Sequence, residues 1–221
     1  MQMENYLVSI RYACDNLINL IWDTRKEYIS VRTRYLGIKK MIDLRMKRIQ
    51  NGVLTIEEQR DFNELTQLYG VRTGNTGIAV IFEESNLRSK IAELENIMTA
   101  HSDSYNILSG ALLQMAKQAL SIVHGDIFRK RITKGRVILE DGSNKAFLLD
   151  CIQHFRNHSI HFEQGLIRSH DSYKFFKEKL IKDKFPNFND KSTNYSFEFI
   201  NLLGWDEFNK FKNDLKSIIT K

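Results

Sequence analysis

A single proline, Pro186, punctuates 221 residues. Proline fixes its own φ, lacks a backbone donor and breaks helix interiors, so a chain almost without it favours long uninterrupted helices. The apolar pattern agrees. Leu7, Ile10, Cys14, Leu17, Ile18 and Ile21 recur three and four apart, which gathers them on one helical face. The pattern runs on less cleanly to Asn51-Gly52, a pair that tolerates left-handed geometry and ends the helix. Thr55 and Glu58 have the spacing of a capping box. They open a second helix with apolar Ile56, Phe62, Leu65 and Leu68, terminated by Gly70.

Further helices follow. "NLRSKIAELENIMTA" is one, and "DSYNILSGALLQMAKQALSIVHG" is another, with Ile107, Leu108, Ala111, Met115, Ala119 and Ile122 on one face and Gly125 as its stop. A helix over about 144–160 starts near Asn144 and buries Phe147, Leu148, Cys151, Ile152 and Phe155. "DSYKFFKEKLIKD" and "GWDEFNKFKNDLKSIITK" supply C-terminal helices within 171–221, with Asp171 and Asp206 near their starts. Two segments, 71–84 and 132–144, fit less well. Their "GIAVIF" and "GRVILEDGSN" are expected as loops or as a minor β-hairpin. With no linker and no repeat of fixed period, the expectation is an all-α helical bundle. One domain spans 1–221, with long N-terminal helices over 1–70 and room for that hairpin.

Hydrophobic residues at 42% and charged residues at 27% exclude global disorder. No apolar run of about 18 residues exists, so no membrane span is expected. The start "MQMENYLVSIRY" lacks the pattern of a signal peptide, which points to the cytoplasm. Cys14 and Cys151 form no CxxC pair and read as small buried hydrophobes in a reducing compartment.

Lys and Arg number 33 against 27 Asp and Glu, a formal charge of +6 that makes RNA a reasonable partner. The excess concentrates between Arg25 and Arg48, where only Glu27 and Asp43 oppose it. Arg32, Arg34, Lys39, Lys40, Lys47 and Arg48 are the candidate RNA contacts there, although a solvated helix face accounts for the same pattern. A second basic run, Lys174 to Lys184, carries Tyr173, Phe175, Phe176 and Phe185. Aromatics at that spacing are more often core than base-stacking platforms.

The densest chemistry is "CIQHFRNHSIHFEQG", residues 151–165. His154 and His158 share a helix face, and with His161 and either Glu163 or Asp150 they suggest a metal-dependent hydrolase. No HExxH signature supports that reading. A structural reading pairs Arg156 with an acid and leaves the histidines at a helix end. A third reading is acid–base chemistry without a metal or other cofactor. A helix ending near Ser159 would project Arg156 from its last turn and His161 from the following loop. Arginine holds a phosphate bidentately. Histidine moves protons near neutral pH.

"FRNHSIHFEQG" resembles the R-x(4–6)-H motif of the HEPN superfamily (higher eukaryotes and prokaryotes nucleotide-binding). Arg156, Asn157 and His161 match the arginine, the polar residue after it and the histidine. His158 lies within the spacer. Glu163 stands near where many members carry a small residue. The resemblance implies a helical bundle with an up-down four-helix core, usually a homodimer in which two motifs face one cleft. It also implies a metal-independent endoribonuclease, often a toxin or an antiviral-defence hydrolase, sometimes controlled by an antitoxin or other regulatory protein. On it, His161 serves as general acid or base and Arg156 holds the scissile phosphate. Asn157 binds phosphate or fixes the arginine, and His158 is an auxiliary acid or RNA contact. Other members are catalytically silent and bind a nucleotide, RNA or a partner protein.

Overall fold

Helix stops and starts lie where local chemistry calls for them. Gly52, at φ 75°, turns the chain out of the first helix while its N–H donates to the carbonyl of Arg48 at 2.9 Å. Thr55 and Glu58 then form a reciprocal capping box. The Thr55 N–H donates to Glu58 Oε2 at 3.0 Å, and the Glu58 N–H donates to Thr55 Oγ1 at 3.3 Å. The computed structural model describes residues 3–69, 77–124, 135–141, 144–161 and 193–218. Their elements are α1 (Met3–Asn51), α2 (Ile56–Tyr69), α3 (Gly77–His124), β1 (Val137–Asp141), β2 (Asn144–Phe147), α4 (Leu148–His161), α5 (Ser196–Leu203) and α6 (Phe208–Ile218). The protein is an all-α bundle, with one minor β-hairpin among the described residues.

That hairpin is not the pairing considered for "GIAVIF", which lies within α3. A short apolar run cannot be assigned to strand or helix by periodicity alone. The partner of β1 is instead β2, antiparallel, with Leu139 opposite Ala146, Glu140 opposite Lys145 and Asp141 opposite Asn144. Lys145 also reaches Glu140 across the pair at 2.8 Å. Asn144–Phe147 is therefore strand, and the motif helix begins at Leu148 rather than near Asn144. The helix expected over 171–183, the basic run 174–184, Gly70, Gly125, Glu163 and Pro186 lie outside the described residues.

Contacts divide the chain into two compact units, Met1–Thr24 with Asp103–Lys221, and Arg25–Ser102. In the second unit, Ile38, Met41 and Leu44 of α1 pack with Leu54, with Phe62 of α2 and with Leu87 and Leu94 of α3. Lys40–Asp61 at 2.7 Å and Lys47–Glu58 tie α1 to α2.

The first unit holds the larger core. Leu7, Cys14, Ile18 and Ile21 of α1 are buried there, as are Cys151, Ile152 and Phe155 of α4. Phe155 stacks on Phe199 of α5, with ring centroids 4.0 Å apart and planes 5° from parallel. Within this unit the buried face of α3 is Tyr105, Asn106, Ser109, Leu112, Leu113, Ala116, Ala119 and Leu120. This corrects the face expected from periodicity, because Ile107 and Ile122 are exposed. The segment is apolar around most of its circumference, so spacing did not select one side. Cys14 and Cys151 are buried free thiols, and burial pushes the Cys14 pKa up to about 12.

A clamp closes the C-terminal end of this unit. Gly204, at φ 72°, caps α5, and its N–H donates to the carbonyl of Asn201. Trp205 follows, fully buried, and donates its indole N–H to Asp214 Oδ2 of α6 at 2.8 Å. Arg136, just before β1, grips the same carboxylate through Nε at 2.7 Å and Nη2 at 2.8 Å. It also donates to the carbonyl of Leu203 at 2.7 Å. One carboxylate thus joins the hairpin, the end of α5 and α6.

Candidate functional site

The site is built on α4, anchored from below by Leu148, Cys151, Ile152 and Phe155. Its neighbour α3 presents Asn106, Gly110 and Gln114, four residues apart and so on one helical face. Each does a different job. Asn106 Oδ1 accepts from the Phe197 N–H at the start of α5, at 3.0 Å. A Cβ at Gly110 would meet Ser159 Cβ of α4 at 3.2 Å and Ser196 Oγ at 3.7 Å. Gln114 Oε1 accepts from Arg156 Nε at 2.6 Å. A small residue between two amides thus lets α4 and the start of α5 approach α3. Gly110→Leu is expected to wedge them apart and destabilise the protein by about 2 kcal/mol. Denaturant unfolding checks this, and an unchanged midpoint would contradict the packing argument.

Arg156 is half-buried, and its guanidinium is held by neutral acceptors. Besides Gln114, Asn157 Oδ1 accepts from Arg156 Nη1 at 3.1 Å. Among the described residues no carboxylate pairs with it. Loss of solvation lowers its pKa from the ordinary value, yet a guanidinium stays charged throughout the physiological range. The expected pairing of Arg156 with an acid is therefore not seen among the described residues.

His158 belongs to the core. It is 3% exposed, its ring lies edge-on to Phe199 at 5.3 Å, and its Nε2 accepts from the Tyr195 backbone N–H at 3.3 Å. Burial pushes its pKa down to about 4, against an opposing hydrogen bond with the Thr193 backbone. The role of auxiliary acid or RNA contact expected for His158 does not fit a neutral, enclosed ring. Between pH 6.5 and pH 4 the unfolded chain takes up a proton that folded His158 refuses, so stability falls as pH falls through that window. The loss is at most about 3 kcal/mol. Thermal melts across that range should show the decline, and His158→Gln should flatten it.

His161 is the last residue of α4 and is exposed. It was expected beyond the helix end, but α4 runs through it. A step of five positions along one helix sets Arg156 and His161 about 140° apart around the axis and about 7.5 Å along it. A single copy therefore brings Arg156, Asn157 and Gln114 together and leaves His161 on a different face. The His154, His158 and His161 set does not assemble as ligands. Among the described residues no group of three or more His, Cys, Asp or Glu is arranged to hold a metal.

The basic stretch of α1 also divides. Lys40 and Lys47 are engaged by Asp61 and Glu58 of α2. Lys39 lies over the Tyr35 ring at 5.8 Å. Arg32, Arg34 and Arg48 are exposed and make no ion pair among the described residues. No described helix is long and apolar enough to cross a membrane.

The residue that sequence reasoning missed is Gln114. Nothing in its own helix marks it, since a glutamine on a long helix is ordinary. Only the packing of α3 on α4 reveals its partner. The chain matches no family model, no curated protein and no solved structure.

Proposed function

We propose that the protein is a HEPN-like, metal-independent endoribonuclease of a toxin or phage-defence type, acting in the cytoplasm as a homodimer. The observation that carries this reading is Arg156, a half-buried cation held by amide oxygens with no carboxylate partner among the described residues. Such a group is suited to an anion arriving from outside. Arg156 binds the scissile phosphate and offsets the charge added in the phosphorane. Asn157 fixes the arginine. His161 takes the proton from the 2′-hydroxyl, whose oxygen attacks phosphorus. The 5′-oxygen leaves and gains a proton from a second acid, giving a 2′,3′-cyclic phosphate and a 5′-hydroxyl end. Because Arg156 and His161 diverge on one helix, a second copy supplies the opposing histidine. An antitoxin or other regulatory protein would hold such an activity in check.

The same divergence favours one alternative, a catalytically silent HEPN-like module that binds RNA, a nucleotide or a partner protein through Arg156 or, separately, through the exposed Arg32, Arg34 and Arg48. Incubating the purified protein with mixed RNA in EDTA separates the two. Cleavage yielding cyclic phosphate ends supports the nuclease. Arg156-dependent RNA binding without cleavage supports the module, and cleavage that EDTA abolishes contradicts both.

A further inference from the structure

Arginines at helix–helix contacts usually meet a carboxylate, which neutralises them and satisfies several N–H groups at once. Arg156 is set up differently. Its Nε donates to Gln114 Oε1 at 2.6 Å, across from α3, and Nη1 donates to Asn157 Oδ1 at 3.1 Å. A guanidinium has five N–H groups, so three remain after the two bonds it makes among the described residues. Gln114 fixes the fork from the Nε side and adds no charge. A glutamate has nearly the same shape and would bond equally well, but it would cancel the cation. Neighbouring residues explain why the contact holds its geometry. Gly110, one turn before Gln114, lets Ser159 of α4 approach α3 closely. The distance between the two helices is thereby set next to the glutamine.

We infer that Gln114 is a positioning residue that seats Arg156 as a receptor for an RNA phosphodiester, orienting the guanidinium while leaving its charge uncancelled. This rests on the reading of Arg156 as the phosphate-binding group. The seat carries one positive charge and suits the single negative charge of an internal phosphodiester.

The test uses the full chain and a mixed-sequence oligonucleotide that is 2′-O-methylated throughout, so that it lacks the nucleophile and cannot be cleaved by 2′-oxygen attack. Binding is followed by fluorescence anisotropy, and melting temperature is measured in parallel. Gln114→Glu is expected to weaken binding by about tenfold or more, because charge-assisted bonds to phosphate are lost. Its melting temperature should equal or exceed that of the unaltered protein, since Arg156 gains an ion pair. In an Arg156→Ala background the same change should have no further effect. Gln114→Met keeps the length without the acceptor, and it should weaken binding by about threefold.

Unaltered binding in both Gln114 variants would overturn the inference. So would equal weakening by Gln114→Glu with and without Arg156, which would show simple repulsion of RNA by the new carboxylate. Binding that never depends on Arg156 would also overturn it. If the unaltered protein binds the probe through Arg156 but cleaves no RNA, the nuclease reading fails and the role of Gln114 stands.

Discussion

Arg156→Ala is expected to slow RNA cleavage by about two to three orders of magnitude, the usual effect of removing a charged donor from a developing oxyanion. The protein should remain folded. The lost side chain is half-buried and bonded only to two amide oxygens, Gln114 Oε1 and Asn157 Oδ1, among the described residues. Arg156→Lys should not rescue the rate. A lysine ammonium is a point charge that cannot reproduce a planar fork held at one edge. His161→Ala should be at least as damaging to the rate, about two to four orders of magnitude, if it moves a proton in the transition state. It is exposed at the end of α4, so its melting temperature should not change. Single-turnover cleavage of labelled RNA in EDTA measures both effects. Rates within a few-fold of the unaltered protein for either variant would remove that residue from the mechanism.

The largest effect on stability is expected at Asp214. Its carboxylate, 11% exposed in the side chain, accepts from Trp205 Nε1 and from two nitrogens of Arg136. Asp214→Ala leaves the indole N–H of a fully buried tryptophan without its acceptor, which costs about 1 to 3 kcal/mol. It also releases Arg136. The Arg136 side chain is 46% exposed, so solvent screening reduces what that pair contributes. Together the change should destabilise the protein by about 4 kcal/mol. Asp214→Asn keeps an acceptor for the indole and should be markedly milder. Urea unfolding of both variants distinguishes them. Equal losses would mean that the charge, and not the indole bond, dominates.

The parts of this structure that were legible in the sequence are those decided by near neighbours. Asn51-Gly52, the Thr55–Glu58 capping box and the Leu7–Ile21 face each depend on residues within a few turns. Local spacing identifies them, and the structure has them as expected. The hairpin was only half legible. "GRVILEDGSN" carries a strand signal, but the spacing of its partner β2 equally fits the first turn of the motif helix, since Phe147 and Leu148 suit either state. The buried side of α3 was not legible, because apolar residues surround much of that helix and its partners lie far away in sequence. The motif shows the same limit. The stretch around Arg156, Asn157 and His161 could be singled out by residue type and spacing. That His158 faces the core could not be seen there, since it depends on Tyr195 and Phe199, 37 and 41 residues later. Gln114 needed the packing of α3 on α4.

The two units also differ in when they can be finished during synthesis. Arg25–Ser102 is one continuous stretch, so its core residues can meet soon after they emerge. The other unit joins Met1–Thr24 to Asp103–Lys221. Within it, Trp22 Nε1 donates to the carbonyl of Trp205, 183 residues away, and Glu4 pairs with Lys216 across 212. The first turns of α1 must therefore wait, largely uncovered, until α6 has been translated. Contacts of such separation form late and slowly. Arg156 sits in the unit that closes last, so an unfinished chain carries the motif before it carries α5 and α6, which pack against α4.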